Sequence, residues 1–236
     1  MSDLASRALV LLAAGVVLIA AGCDGLGATA RPSALVERDQ QLEELSELRM
    51  AREKALSEMA VGDLAGALEE DSRRGLEPWN SQAVREVERR GADGAPQLAE
   101  LLRSPDRSSF LGLMAIRLVD RETYARLDPE LRTAVLVDAL ATSQYFNAFG
   151  LPHLYWEEPA RAIIDEGAVA ESPLSRLLRD TRPAPMWGQE EVVEYEAYQY
   201  RVADYALALI RAIRGDEEPV PQDPNERDEL IRQLQA

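Results

Sequence analysis

The chain has 236 residues, 42 acidic and 26 basic, with a formal net charge of −16. An acidic chain without clustered cations is unsuited to nucleic-acid phosphates or to docking on anionic lipid, so neither is expected. Cys23 and His153 are each the only residue of their type, which excludes an intramolecular disulfide and leaves no cofactor or metal expected.

Residues 1–22 read as a secretory signal peptide. Arg7 and the amino terminus form a weakly basic start, and Ala8 to Gly22 are uncharged and mostly apolar. The run is too short to span a bilayer and ends in small residues, as a secretory signal does. Ala20-Ala21-Gly22-Cys23 resembles the lipobox of bacterial lipoproteins, with Ala20 where leucine is commonest. The resemblance implies cleavage after residue 22, acyl chains on Cys23 and a place in the bacterial cell envelope. Several acyl chains, each CH₂ contributing about 0.8 kcal/mol, anchor durably. Asp24 resembles an inner-membrane retention signal, a rule that does not extend to all bacteria. Residues 23–33 are rich in Gly, Ala, Ser and Pro and read as a tether with a reach of roughly 15–20 Å.

Residues 34–77 read as an N-terminal helical pair. The first helix runs to about Met59 without Gly or Pro, and its apolar stripe is interrupted by Arg49 and Arg52. The second runs from Val61 to Arg74 and stops at Gly75. Helix Ser81 to Arg90 has a serine cap and a glycine stop at Gly91, and helix Pro96 to Arg103 follows.

That pair returns at an offset of 76 residues. GADGAPQLAELLR (91–103) lies over GAVAESPLSRLLR (167–179), and Val87 lies over Ile163. Helices joined at a glycine and repeated at a fixed period mark a repeat architecture. The pattern resembles the HEAT-repeat family, in which a glycine or proline turn precedes a helix of the form P-x-L-x-x-L-L. The resemblance covers residues 78–215 and implies stacked helix pairs that bind a protein or peptide. Departures are Leu111, where many such repeats carry Arg, and an aromatic insertion at 144–158.

Between the two matches, Arg107 to Val119 and Pro129 to Thr142 form a further pair. Gln189 to Arg214 reads as one helix ending at Gly215, with Tyr195, Tyr198, Val202, Tyr205 and Leu209 on its core face and Arg201 paired to Asp204. Residues 216–236 read as a Pro-rich linker and a capping helix. No run alternates as a strand. The expectation is an all-α chain: a short α-solenoid of HEAT-like pairs behind a signal peptide and two helices.

No catalytic constellation emerges. His153 and Glu157 are four apart, but Pro152 and Pro159 flank them and no third metal ligand is evident. A serine triad would need the same His153, and no G-x-S-x-G elbow accompanies it. Glu171-Ser172 resembles the Glu-Ser of lytic transglycosylases. Pro173 follows it, however, and the Gly-Leu-Met at 112–114 lies on the wrong side, so the dipeptide reads as a helix start with Pro173 in the first turn.

The aromatic turns are the candidates for binding. Trp79, Tyr155, Trp156 and Trp187 fall between helices and either seal gaps or form a ridge for a partner. The reading is a lipid-anchored binding or scaffold protein, not an enzyme, for an unknown envelope protein or peptide. The alternative is a helical hydrolase acting on glycan with Glu157, Glu158 or Glu171 as general acid.

Overall fold

The structure, a computed structural model, describes residues 32–103, 109–216 and 218–235. The signal segment, Cys23 and most of the tether lie outside the described residues. The chain divides at Ser57 into two compact units. The first contains helix α1 (Pro32–Glu58) up to that residue, with Leu42 and Met50 exposed along it. Among the described residues no helix is long and apolar enough to cross a membrane.

The second unit is mostly helical. Its first part contains α2 (Val61–Arg73), α3 (Gln82–Arg90), α4 (Ala95–Leu102), α5 (Phe110–Val119), α6 (Arg121–Ala125) and α7 (Pro129–Thr142). Helix α5, FLGLMAIRLV, is apolar but for Arg117, and a helix of that kind is stable only when covered nearly all round. It packs against α2, α3, α4, α6 and α7, and every residue from Leu111 to Arg117 is buried. Gly112 permits the close approach of α4, since a Cβ there would lie 3.0 Å from Leu102. Helix α6 occupies the connection between α5 and α7, capped by Asp120, whose side chain accepts from the Glu122 and Thr123 amides.

The second part contains α8 (Glu158–Asp165), α9 (Ala168–Leu177), α10 (Gln189–Tyr198), α11 (Val202–Ile213) and α12 (Pro224–Gln235). Helix α11 is the second covered helix, buried from Val202 to Arg211 and packed against α8, α9 and α12. Helix α9 lies between α7 and α11.

The sequence repeat coincides with a repeat of conformation. Gly91 has φ 68° and ψ −156°, and Gly167 has φ 60° and ψ −135°. Both values favour glycine, and each ends one helix and redirects the chain into the next. Val87 and Ile163, Leu98 and Leu174, and Leu102 and Leu178 are buried pair by pair.

Four features differ from the sequence reading. Gln189 to Arg214 is two helices: Gln199 is left-handed at φ 52°, and the chain leaves the helix through Tyr200 and Arg201. Tertiary bonds dictate this break, because the Ala184 amide donates to the Tyr200 carbonyl and Pro183 bridges to Arg201. A two-residue hairpin, β1 (Gly150–Leu151) with β2 (Tyr155–Trp156), stands inside the aromatic insertion. Gly150 has φ 91°, and a Cβ there would lie 2.5 Å from the Tyr155 carbonyl oxygen. Helix α6 divides the connection between α5 and α7. Finally, α9 begins at Ala168 directly after Gly167, so Pro173 lies inside the helix instead of in its first turn. Proline there withholds one backbone donor from the carbonyl of exposed Val169, where water can substitute.

Fully buried Asp204 holds the end of the unit together. It pairs with Arg201, through Nη2 at 2.9 Å, and with the fully buried Arg227 of α12, through Nε at 3.2 Å. The Arg227 contact to Asp204 is an ion pair without a hydrogen bond from Nε; its terminal nitrogens donate instead to the Pro221, Gln222 and Tyr198 carbonyls. Removing one partner of such a pair leaves the other charge buried. Asp204→Ala is therefore expected to destabilise the fold by about 3–5 kcal/mol. Urea denaturation of the full chain checks this, and a loss under 1 kcal/mol would show that the cluster is dispensable.

Candidate functional site

A groove of about 1000 Å³ runs along one side of the second unit. Its floor is the solvent side of α7. Leu131, Ala134, Val135, Asp138, Ala139 and Thr142 recur at helical spacing and face the groove, while Leu136, Val137 and Leu140 face the core. The far wall comes from the end of α2 and the Gly75–Asn80 turn. Phe110 and Phe149, stacked with centroids 6.2 Å apart, form part of the lining.

A smaller cleft of about 340 Å³ shares Glu77 and Trp187 with the groove. Glu77, Trp79, Asn147, Tyr155, Glu157, Trp187, Gly188 and Glu191 line it. Three of the four aromatic candidates therefore meet here, from turns far apart in sequence. Trp79 is 47% exposed, Trp187 56% and Tyr155 37%. Trp156 points elsewhere: it is half-buried, with its ring edge-on to Tyr205 at 6.4 Å. Alternation along the strand sends it and Tyr155 to opposite faces.

Each wall of the cleft is held from behind. The Asn147 side chain donates to the Trp187 carbonyl and accepts from the Trp187 amide, both at 2.6 Å. Tyr145 meets the Trp187 ring edge-on at 5.9 Å. Trp79 sits in a short 3₁₀ turn, Pro78–Asn80, which leads into the Ser81 cap of α3. Tyr155 stands on the hairpin, which His153 fixes to the α10–α11 break. The His153 ring stacks on Tyr198 at 4.1 Å, Nδ1 lies 2.6 Å from the buried Tyr200 hydroxyl, and Nε2 lies 3.3 Å from Glu194.

The electrostatics of the cleft are negative. Burial holds the Glu77 carboxyl above its usual range, although Trp79 and Asn80 donate hydrogen bonds to its charged form. Burial, and then the charges of Glu157 and Glu191, push the Tyr155 hydroxyl up. Among the described residues no Lys or Arg lines the cleft. Glu191 folds back over Gly188, whose φ of 118° and lack of a side chain make room for the carboxylate.

The other sequence candidates lie elsewhere. Glu158 is paired with Arg117 and Arg121, and Glu171 with Arg214, so of the three candidate acids only Glu157 reaches the cleft. Glu77, Asn147 and Glu191 went unnoticed in the sequence. The available signal was an acid near each of these aromatics, in Glu77-Pro78-Trp79, Tyr155-Trp156-Glu157 and Trp187 to Glu191. Among the described residues no group of three His, Cys, Asp or Glu is placed to hold a metal ion.

His153 gives the site's support a pH dependence. Burial lowers its pKa below 6.5, outweighing Glu194, which raises it. The folded state therefore binds fewer protons than the unfolded chain. This contribution to stability is complete above about pH 6.5 and is lost as pH falls toward the lowered folded value. The melting temperature of the parent chain is expected to fall more steeply between pH 7.5 and 5 than that of His153→Gln. Parallel curves would refute the assignment.

Comparison with family models, with curated proteins and with solved structures finds no match for this chain.

Proposed function

We propose that this chain is a lipid-anchored binding module of a bacterial cell envelope, whose HEAT-like helix pairs hold a segment of a protein partner in the groove over α7. The observation that carries the reading is the groove itself. Helix α7 has a second apolar face that the core does not use, and three exposed aromatics stand at the groove's end. Large rigid aromatics around a concave apolar floor are the residues on which binding energy concentrates.

Two further observations support it. Helices two apart in sequence pack together along the second unit, α2 with α4, α3 with α5, α5 with α7, α7 with α9 and α9 with α11, as stacked pairs do. The Ala20-Ala21-Gly22-Cys23 ending supplies the anchor. The −16 charge would repel an anionic surface, so attachment would fall to the acyl chains.

The test joins address to groove. The full chain, expressed in a bacterial host fed radiolabelled palmitate, is expected to take up label and sediment with membranes, and Cys23→Ala to lose both. A photocrosslinking residue in place of Ala134 is expected to give a discrete adduct that the same residue at exposed Arg126 does not. An unlabelled parent chain would overturn the anchor, and equal adducts at both positions would overturn the groove.

A second reading is favoured by one observation, the meeting of Glu77, Glu157 and Glu191 beside aromatic walls. Paired carboxyls flanking a cleft are the arrangement of a glycan hydrolase, and Glu77, which burial holds above its usual range, would be the general acid. That reading expects the full chain to cleave purified cell-wall glycan strands, and Glu77→Gln and Glu157→Gln each to abolish cleavage. Intact strands after prolonged incubation would dismiss it.

A further inference from the structure

The groove and the cleft differ in character. The groove floor is apolar with scattered polar groups, whereas the cleft, among the described residues, pairs aromatic faces with three carboxylates and no cation. Among the described residues one arginine lines the groove, Arg73, and it is paired with Glu69 and Glu70. An aromatic face carries negative electrostatic potential, and a carboxylate carries a full negative charge. Together they select against anions. They leave a neutral ligand facing uncompensated charge.

The aromatics are independent of the acids and point the same way. Trp is the best cation acceptor among side chains and Tyr follows. Trp79, Tyr155 and Trp187 are exposed into one small cleft, and the Asn147 bonds fix the Trp187 backbone. The Asn147 side chain spends one donor and one acceptor on that backbone, which fixes its amide plane.

We propose that the cleft walled by Trp79, Tyr155 and Trp187 and edged by Glu77, Glu157 and Glu191 receives the side chain of an arginine or lysine on the protein segment that the neighbouring groove holds. The inference rests on the groove reading and adds the chemistry of its occupant. Glu77 and Trp187 belong to both spaces, so one continuous segment can lie along α7 and place a basic side chain at its end. Arginine suits the site best, because its planar guanidinium stacks on an indole and donates to two carboxylates at once. Lysine offers a point charge to the same groups.

The test uses the full lipidated chain in detergent and four immobilised peptide libraries. Each library has random neutral flanks and one fixed central residue: arginine, lysine, glutamine or glutamate. The arginine and lysine libraries are expected to retain the protein roughly ten- to a hundredfold better than the glutamine library, the range of a hydrogen bond to a charged group. The glutamate library is expected to retain least. Glu157→Gln, at an exposed position, is expected to reduce the basic preference. The triple variant Glu77→Gln, Glu157→Gln, Glu191→Gln is expected to abolish it, bringing retention on the arginine and lysine libraries to the same level as on the glutamine library. A circular-dichroism melt checks that each variant is folded.

Equal retention on the arginine and glutamine libraries would leave the groove reading standing and overturn the cationic occupant. No retention on any library would overturn both. Binding of chitohexaose in place of any library would assign the cleft to glycan and also overturn the proposal.

Discussion

Asp204 is the point on which the rest of the second unit turns. It is a carboxylate with no exposure to water, and a charge so placed persists only if cations and donors surround it. Arg201 and Arg227 supply them. The consequences run outward from there. Arg227, drawn inward from α12, ties down the Pro-rich segment through Pro221 and Gln222 and the end of α10 through Tyr198. Its guanidinium lies over the Tyr200 ring at 5.5 Å. Tyr200 in turn meets His153, and His153 holds the hairpin that carries Tyr155 and Glu157. A buried ion pair at one end of the unit therefore sets the position of two residues in the cleft.

A similar device works nearer the middle. Arg132 of α7 donates to both carboxylate oxygens of Glu166, and to the carbonyls that close α6. The Tyr124 hydroxyl donates to the same Glu166, and burial pushes that hydroxyl well above the ordinary tyrosine range. Arg117 of α5 reaches Glu158 and Asp165 of α8. Arginine suits these roles because a planar fork with five donors can satisfy several acceptors at once. The composition, with Lys54 the single lysine, is consistent with how many of its arginines are used in this way.

Much of the helical framework was legible in the sequence, because its signals are local. Ser81, Gly91, Pro129 and Gly167 act on their own turns, and the structure places helix ends at each of them. The apolar run of FLGLMAIRLV, broken only by Arg117, is likewise a one-dimensional sign of a covered helix. The break at Gln199 was not legible. YEAYQYRVADY keeps helical spacing and has no Gly or Pro, and the bonds that open it come from Ala184, Pro183 and Arg227. The hairpin was illegible for another reason: two-residue strands are too short to alternate. The cleft was half legible. Its aromatics stood out as unusual in turns, but sequence alone gives no measure of which turns meet, and Trp156 differs from Tyr155 only by the side of the strand it occupies.

The rigidity of the cleft bears directly on what it can do. An exposed indole on a loose loop must be ordered when a partner arrives, and that ordering opposes binding by about 0.5–1.5 kcal/mol per side chain. Here much of that ordering is completed on folding. Asn147 closes a two-bond ring with the Trp187 backbone, Tyr145 borders the Trp187 ring, and the hairpin leans on His153. Gly188 holds a backbone conformation that favours glycine, and the space left by its missing side chain is where the Glu191 carboxylate lies. Supporting residues of this kind are hard to explain if Trp79 and Trp187 were merely surplus apolar surface, because a surplus side chain needs no positioning. The proposed binding role accounts for them, since affinity would then depend on aromatic faces and charges set in place before a partner arrives.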